Sequence, residues 1–320
     1  MLKDEILKLL YTQRVMLSGE ALAARFGVSR NAVWKAVKQL QKEGFAVTAS
    51  TNKGYFLEGC GRTLSPVVLE AELQDAAFGK PLHFHSTLDS TNIKAKALAE
   101  TGAPGGTVVL AESQTAGKGR LGRTFYSPAQ QGVYFSLLLR PESFGENAML
   151  LTSMCAVATA EAIEAVAPVK VQIKWVNDLL IKGKKVCGIL TEAGFCLEEQ
   201  RMDYVIVGIG VNCGPQAFPP ELRDIATSIE NETGIPLNRS LLVAEILKRI
   251  EIGLKTMENR AFLSACRSRS ALLGKTVTVY RGAACYSATA VGIDDEGALQ
   301  VKTQDGVVQS LVSGEVRVRL

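Results

Sequence analysis

Residues 114–128 read QTAGKGRLGRTFYSP. Gly117, Gly119 and Gly122 alternate with Lys118, Arg120 and Arg123, and Gln114, Phe125 and Tyr126 flank them. Glycines let a backbone turn sharply and approach a ligand closely. The cations call for an anionic ligand, and main-chain N–H groups with guanidinium forks suit phosphate. Two familiar phosphate motifs nearly match: Gly117–Gly122 spells G-x-G-x-x-G, and Gly117–Thr124 is one residue from a P-loop. Both need a helix that begins at the loop and holds the phosphate on its N-terminus. Here Pro128 and a β-rich run follow, so both are rejected. On the glycines alone, a solvated basic hairpin tip remains the other reading.

The flanks place the loop between strands, at 107–110 and 133–139. Further upstream, 82–85 reads as a strand, followed by STLDSTN, where Ser90 can cap a helix to about Glu100. Ser90, Thr91 and Asn92 would line that helix N-terminus toward a ligand, or Ser90 is a simple cap. Downstream, strands are expected at 170–176, 178–182, 185–192 and 204–211. They bring Lys174, Asn177, Asp178 and Lys185 toward one end of a sheet, with Asn212 closing the last strand. Carboxylate and amide groups at strand ends suit Mg²⁺ and nucleotide hydroxyls, although Asn-Asp is also a good turn pair.

The 320 residues are 47% hydrophobic and 21% charged, enough for two or three globular domains. MLKDEILKLL lacks the apolar core of a signal peptide. The apolar region 148–169, broken by Glu161 and Glu164, reads as a buried helix rather than a membrane span. Seven scattered cysteines (60, 155, 187, 196, 213, 266 and 285) argue for reduced thiols in a cytoplasmic setting, with no zinc site. His83 and His85, two without a third partner, read as structural rather than metal ligands.

Charge is unevenly placed. Residues 1–62 hold ten Lys and Arg against five Asp and Glu, and the other 258 hold 26 against 27. A compact basic segment invites nucleic acid. Residues 2–13 carry a helical apolar stripe. Ser18 caps a helix to Phe26, with Glu20 in its first turn, and Gly27 and Val28 turn the chain. Ser29 caps a second helix, 30–43, ended by Gly44. Val33, Val37 and Leu40 form its core stripe, and Arg30, Asn31, Trp34, Lys35 and Lys38 its opposite face. This is the helix-turn-helix pattern, although helical hairpins without DNA function also occur. Strands at 45–49 and 55–57, joined by a turn with Asn52 and Gly54, make a wing with Lys53 at its tip. Cys60–Ser65 reads as a linker. Residues 240–268 are helical by period. From Leu273 five short β runs form a small barrel-like domain, with turns at 281–282, 294–297 and 305–306.

With STN at 90–92, QTAGKGRLGR at 114–123, KWVNDL at 174–179, KVCGIL at 185–190 and GIGVN at 208–212, the chain resembles the bifunctional biotin–protein ligase and biotin-operon repressor family over nearly its whole length. The resemblance implies an α+β protein in three parts. They are a winged helix-turn-helix DNA-binding domain (1–62), a mixed α/β-sheet biotin- and ATP-binding ligase domain (66–268) and a small SH3-like β-barrel (272–320). It implies MgATP and biotin as substrates, a biotinyl-adenylate, and transfer to a lysine of a carboxylase's biotin carrier domain. Ser90, Thr91, Asn92, Gln114, Lys118, Gly119, Arg120 and Lys185 would bind biotin. Arg120, Arg123, Phe125, Lys174, Asn177, Asp178 and Asn212 would bind ATP, with Lys185, Arg120 and Asp178 catalytic and Asp178 either a base or a Mg²⁺ ligand. Ser29, Arg30, Asn31, Trp34, Lys35, Lys38 and Lys53 would meet the operator DNA of biotin genes, with the adenylate favouring a homodimer. The family usually has proline at Val176 and often tryptophan at Phe125. A biotin-sensing repressor without ligase activity would not need Lys118, Arg120 and Lys185. A lipoate ligase would lack this loop and the DNA-binding segment.

Overall fold

The computed structural model describes residues 1–320 except 51, 52, 146, 197, 199, 200, 282, 283, 313, 314, 319 and 320. The expected turn residues Asn52 and Gly282 and the end of the last expected strand, Arg319 and Leu320, lie outside the described residues. Three helices open the chain: α1 (Leu2–Gln13), α2 (Gly19–Phe26) and α3 (Arg30–Lys42). The Ser18 and Ser29 hydroxyls accept from the N–H groups of Ala21 and Ala32 at 3.0 and 3.2 Å, so both caps form as the sequence predicts. Gly27 ends α2 in the left-handed region. Ile6, Leu7, Leu10, Leu22, Val33, Val37 and Leu40 close a first core. Strands β1 (Ala46–Ser50) and β2 (Gly54–Gly59) pair as an antiparallel hairpin tied to the α1–α2 turn through Leu17 and Tyr55. Ser29, Arg30, Asn31, Trp34, Lys35, Lys38 and Lys53 are all exposed.

The Cys60–Ser65 stretch is not a loose tether. Cys60 is buried in the first core. Arg62 pairs with the Glu230 carboxylate through Nε at 2.8 and 2.9 Å, and Ser65 caps α4 (Pro66–Glu72). Val68 of α4 belongs to the first core and Leu69 to the main one. Tyr11 of α1 donates to Glu72 at 2.6 Å, and Lys248 holds the other oxygen at 2.9 Å. Burial and the neighbouring Glu72 carboxylate push the Tyr11 hydroxyl up.

The centre is a seven-stranded sheet. Its strands are β3 (Leu82–His85), β4 (Val108–Ala111), β5 (Gly132–Leu139), β6 (Gln172–Lys174), β7 (Asp178–Ile181), β8 (Lys184–Cys196) and β9 (Arg201–Asn212), ordered β3-β4-β5-β9-β8-β7-β6. Only β3 and β4 run parallel. Side chains alternate across a sheet. Phe135, Leu137, Val207, Ile209, Cys187 and Ile189 therefore point one way, into the main core. Their neighbours Ser136, Leu138, Ile206, Gly208, Gly210 and Gly188 point the other way. The core face is covered by α6 (Leu151–Val166) and by α8 (Arg239–Lys255), which follows the short α7 (Ile229–Thr233). The opposite face carries α5 (Thr91–Glu100), whose Ala95 and Ala99 pack on Val109, Leu138 and Ile206.

The segment Ala148–Val166 is long and apolar enough to cross a membrane, but most of it is buried inside the protein, as expected for a core helix. The helical run expected over 240–268 is divided. The Thr256 hydroxyl turns back to Ile252 O, Arg260 takes a left-handed conformation, and Asn259 accepts from Ala261 N–H ahead of α9 (Phe262–Ser268). The last unit is a five-stranded antiparallel sheet. Its strands β10 (Thr276–Arg281), β11 (Ala284–Ile293), β12 (Leu299–Thr303), β13 (Val308–Leu311) and β14 (Glu315–Val318) lie in the order β13-β12-β11-β10-β14. Its Val277, Val279, Leu299 and Val301 join the main core, and Trp175 donates to Gly297 O at 3.0 Å. The seven cysteines are free thiols. Among the described residues no cluster of His, Cys, Asp or Glu suits a metal ion.

Candidate active site

The face of the sheet that carries α5 opens into a cleft where β8 and β9 run out beneath the 114–128 loop. Three glycines make its floor. A side chain at Gly210 would come within 2.5 Å of Phe125 Cε1, one at Gly188 within 3.2 Å of Phe125 Cε2, and one at Gly208 would collide with the Asn92 amide. At Gly210 and Gly208 only hydrogen lets Phe125 and Asn92 sit against the strands, and Gly188 keeps the Phe125 and Lys185 side chains uncrowded. The Phe125 ring also meets Tyr134 edge-on, with centroids 6.3 Å apart. Burial pushes the Tyr134 hydroxyl up, and it donates to Pro128 O at 3.0 Å.

The loop is a small hairpin, but it is folded over the cleft. Gly119 N–H donates to Arg123 O at 2.7 Å and Phe125 N–H to Gly117 O at 2.8 Å. Leu121, in the left-handed region with φ 57°, turns the tip. Gln114 N–H closes the base on Ser127 O. Lys118, Gly119 and Arg120 reach the cleft lining.

On the far wall Arg120 donates to Asn177 Oδ1 at 3.2 Å, and Asn177 donates to Asp178 Oδ1 at 3.2 Å and Ile189 O at 3.2 Å. Lys185 Nζ lies 2.6 Å from Asp178 Oδ1 and 5.9 Å from the Phe125 ring centroid. Its backbone is strapped on both sides, Lys185 N–H to Ile225 O at 2.8 Å and Thr227 N–H to Lys185 O at 2.9 Å. Burial pushes the adjacent Cys187 thiol up, which keeps it protonated and inert. The Trp175–Val176 peptide that precedes Asn177 is cis.

At the other end Ser90 stands at the N-cap of α5, but its hydroxyl makes no cap bond. Gln114 does the capping instead: its Oε1 accepts from Thr91 N–H at 2.8 Å. Ser90, Thr91, Asn92, Gln114, Lys118, Gly119, Arg120, Phe125, Asn177 and Lys185, all singled out in the sequence, come together in the lining of the cleft. Arg123, Lys174, Asp178 and Asn212 do not, although Asp178 touches the lining residues Lys185 and Asn177. Arg123 sits on the outer limb of the hairpin, and Lys174 faces Asp178 across the β6–β7 pair. Asn212 is buried and gives its amide to Thr227 O at 3.0 Å. Sequence reasoning missed the glycine floor, Ile189, Leu190 and Ile209 in the lining, and Ser136 beneath it. The glycines of GIGVN and KVCGIL were the available signal, since glycine inside a strand marks close approach.

A glycine-floored cleft on a mixed sheet, walled by cations and placed behind a helix-turn-helix segment, defines a ligase-type domain joined to a DNA-binding fold. Residues 84–212 match the biotin/lipoate A/B protein ligase family, residues 3–56 a helix-turn-helix domain and residues 272–319 the biotin protein ligase C-terminal domain. The bifunctional ligase/repressor BirA of Bacillus subtilis is 38% identical over 296 residues, covering 91% of this chain and 90% of that protein. The protein of the same name from Escherichia coli is 28% identical, covering 94% and 92%. The solved biotin protein ligase from Aquifex aeolicus, in complex with biotin and ATP, is 32% identical with a TM-score of 0.66, covering 75% of this chain and 99% of that one. The chain belongs to the bifunctional biotin protein ligase/repressor family.

Proposed function

We propose that the cleft holds biotin at its Ser90–Thr91–Gln114 end and the nucleotide at its Phe125–Asn177 end, in a biotin–protein ligase that is also a repressor of biotin genes. The observation that carries this reading is the convergence of Arg120 and Lys185 across a cleft whose glycine floor admits Phe125. In the first step a biotin carboxylate oxygen attacks the α-phosphorus of ATP and pyrophosphate leaves. Two anions must meet, so Lys118, Arg120 and Lys185 offset their charge. The Asp178 carboxylate, which lies 2.6 Å from Lys185 Nζ on the far wall, would hold a Mg²⁺ accompanying the triphosphate, and the ion would supply further charge neutralisation. In the second step the amine of an acceptor lysine, with a reference pKa of about 10.4, loses a proton and attacks the acyl carbon, and AMP leaves. The acceptor is the biotin carrier domain of a carboxylase, and the setting is cytoplasmic.

The exposed face of α3 reads operator DNA, the β1–β2 hairpin serves as a wing with Lys53 near its tip, and the C-terminal sheet is a small SH3-like barrel. A single helix-turn-helix reads too few bases for a long site, so a homodimer favoured by the adenylate binds two half-sites. Transfer of radiolabelled biotin to a carrier domain tests the ligase. A footprint upstream of biotin genes, with sedimentation, both with and without biotinyl-adenylate, tests the repressor. A chain that transfers biotin but stays monomeric and protects no DNA would be a ligase alone.

A further inference from the structure

A run of hydrogen bonds lies under the closed end of the cleft. The Asn92 amide nitrogen donates to the Glu192 carboxylate at 2.6 Å and to Leu190 O at 3.4 Å. Both partners only accept, which fixes the amide and turns its Oδ1 to Ser136 Oγ, 2.6 Å away. A hydroxyl has one proton, and Ser136 must give it to this carbonyl oxygen. Ser136 Oγ also lies 2.8 Å from Thr91 Oγ1. With the Ser136 proton committed, Ser136 Oγ presents only lone pairs to Thr91.

The second neighbour of Thr91 Oγ1 is Gln114 Oε1, 3.1 Å away. The Gln114 amide is fixed too, because its Nε2 donates to Ser127 Oγ at 3.0 Å while Ser127 donates to Phe125 O at 2.9 Å. Both protein partners of the Thr91 hydroxyl are therefore acceptors. Its proton points into the protein, and the cleft sees lone pairs. Ser136 is fully buried, and Thr91 and Asn92 are nearly so, so water does not rearrange this order.

We propose that Ser136 is a positioning residue for substrate selection: by committing its proton to Asn92 it stands beside Gln114 Oε1 as a second acceptor for the Thr91 proton, so that Thr91 faces the cleft as an acceptor only. The inference rests on the reading of this cleft as the biotin site and deepens it. The cyclic urea of biotin carries two N–H donors and satisfies such an oxygen. The cyclic disulfide of lipoate, handled by other members of the matched biotin/lipoate family, carries none. It would leave Thr91 desolvated and unpaired, a penalty that rejects a ligand far more strongly than shape alone.

The test is titration of the full-length chain with biotin, joined to steady-state kinetics. Ser136→Ala should raise the biotin Kd and KM about tenfold, the scale of one hydrogen bond. Its kcat at saturating biotin and its KM for ATP should stay within about twofold, as for a ground-state binding contact. A merely structural lesion would lower all of them together. Ser136→Cys, with a weak donor and acceptor, should fall between Ser136→Ala and the parent, and it serves as the readout if the alanine variant fails to fold. Thr91→Val should weaken biotin at least as much, and the double variant T91V/S136A should bind no worse than Thr91→Val alone. The proposal is overturned if both Ser136 variants bind biotin like the parent, or if the two losses multiply. If Thr91→Val leaves biotin binding unchanged, the assignment of this end of the cleft to biotin falls, and the inference with it.

Discussion

Lys185→Ala separates the two half-reactions. The Lys185 ammonium stands on the far wall, 2.6 Å from Asp178 and about one-third exposed. A unit charge about 4 Å from charge developing on a phosphate contributes roughly 4 kcal/mol at an effective dielectric of about 20. Partial exposure and the neighbouring Asp178 carboxylate reduce this to roughly 2–3 kcal/mol, or about 30- to 150-fold in rate. The loss falls on adenylate formation, where the carboxylate and triphosphate must meet. Transfer from supplied biotinyl-adenylate, whose charge is smaller, should fall by no more than about threefold. Pyrophosphate release reads the first step, and single-turnover labelling of a carrier domain from supplied adenylate reads the second. Equal losses in both steps would refute a role centred on the first step and make Lys185 a general binding group.

Gly208→Ala places a methyl group against the Asn92 amide and should weaken biotin binding by about tenfold or more through the lost hydrogen bonds, as read by titration. Arg120→Gly opens the hairpin cover beside Asn177 and should let biotinyl-adenylate escape and label bystander lysines; retention as long as in the parent would count against the loop as a lid. Arg239→Met leaves Glu112, its partner at 2.8 Å, without its buried cation and should cost about 3–5 kcal/mol of stability in denaturant unfolding. Lys35→Ala and Lys38→Ala should weaken DNA binding and each lower the salt slope by about one, while adenylate synthesis stays unchanged.

Local chemistry was readable in the sequence. Ser18, Ser29 and Gly27 act within a few residues of themselves, and each has the cap or turn role that its type dictates. The glycine-rich loop and the alternating strands likewise announced a sheet with a basic cover. What escaped depends on register. In GVYFSLLL, Ser136 reads as one small residue in a core strand. Its meaning emerges only when β5 lies beside β9 and beneath α5, which brings it to Thr91 and Asn92. Gln114 as the cap of α5 is equally hidden, because the capping amide comes from 23 residues away. Asn212 carried the opposite lesson: a polar group at a strand end was read toward a ligand, yet the neighbouring Thr227 carbonyl takes its amide.

The Arg62–Glu230 pair bears on how such a protein can be divided. The Glu230 carboxylate is almost wholly buried, receives Leu237 N–H at 2.9 Å and meets Arg62 through both of its oxygens. Arg239 meanwhile donates to Arg62 O at 2.7 Å. A cut that discards residues 1–62 removes the helix-turn-helix domain and also strips a buried anion of its cation beside the segment that straps Lys185. It frees Tyr11's place on Glu72 as well. A free-standing ligase made from this chain would have to begin before Arg62 or replace Glu230 with a neutral residue. The seam between the two activities thus runs through the stretch 62–72, whose residues serve both sides at once.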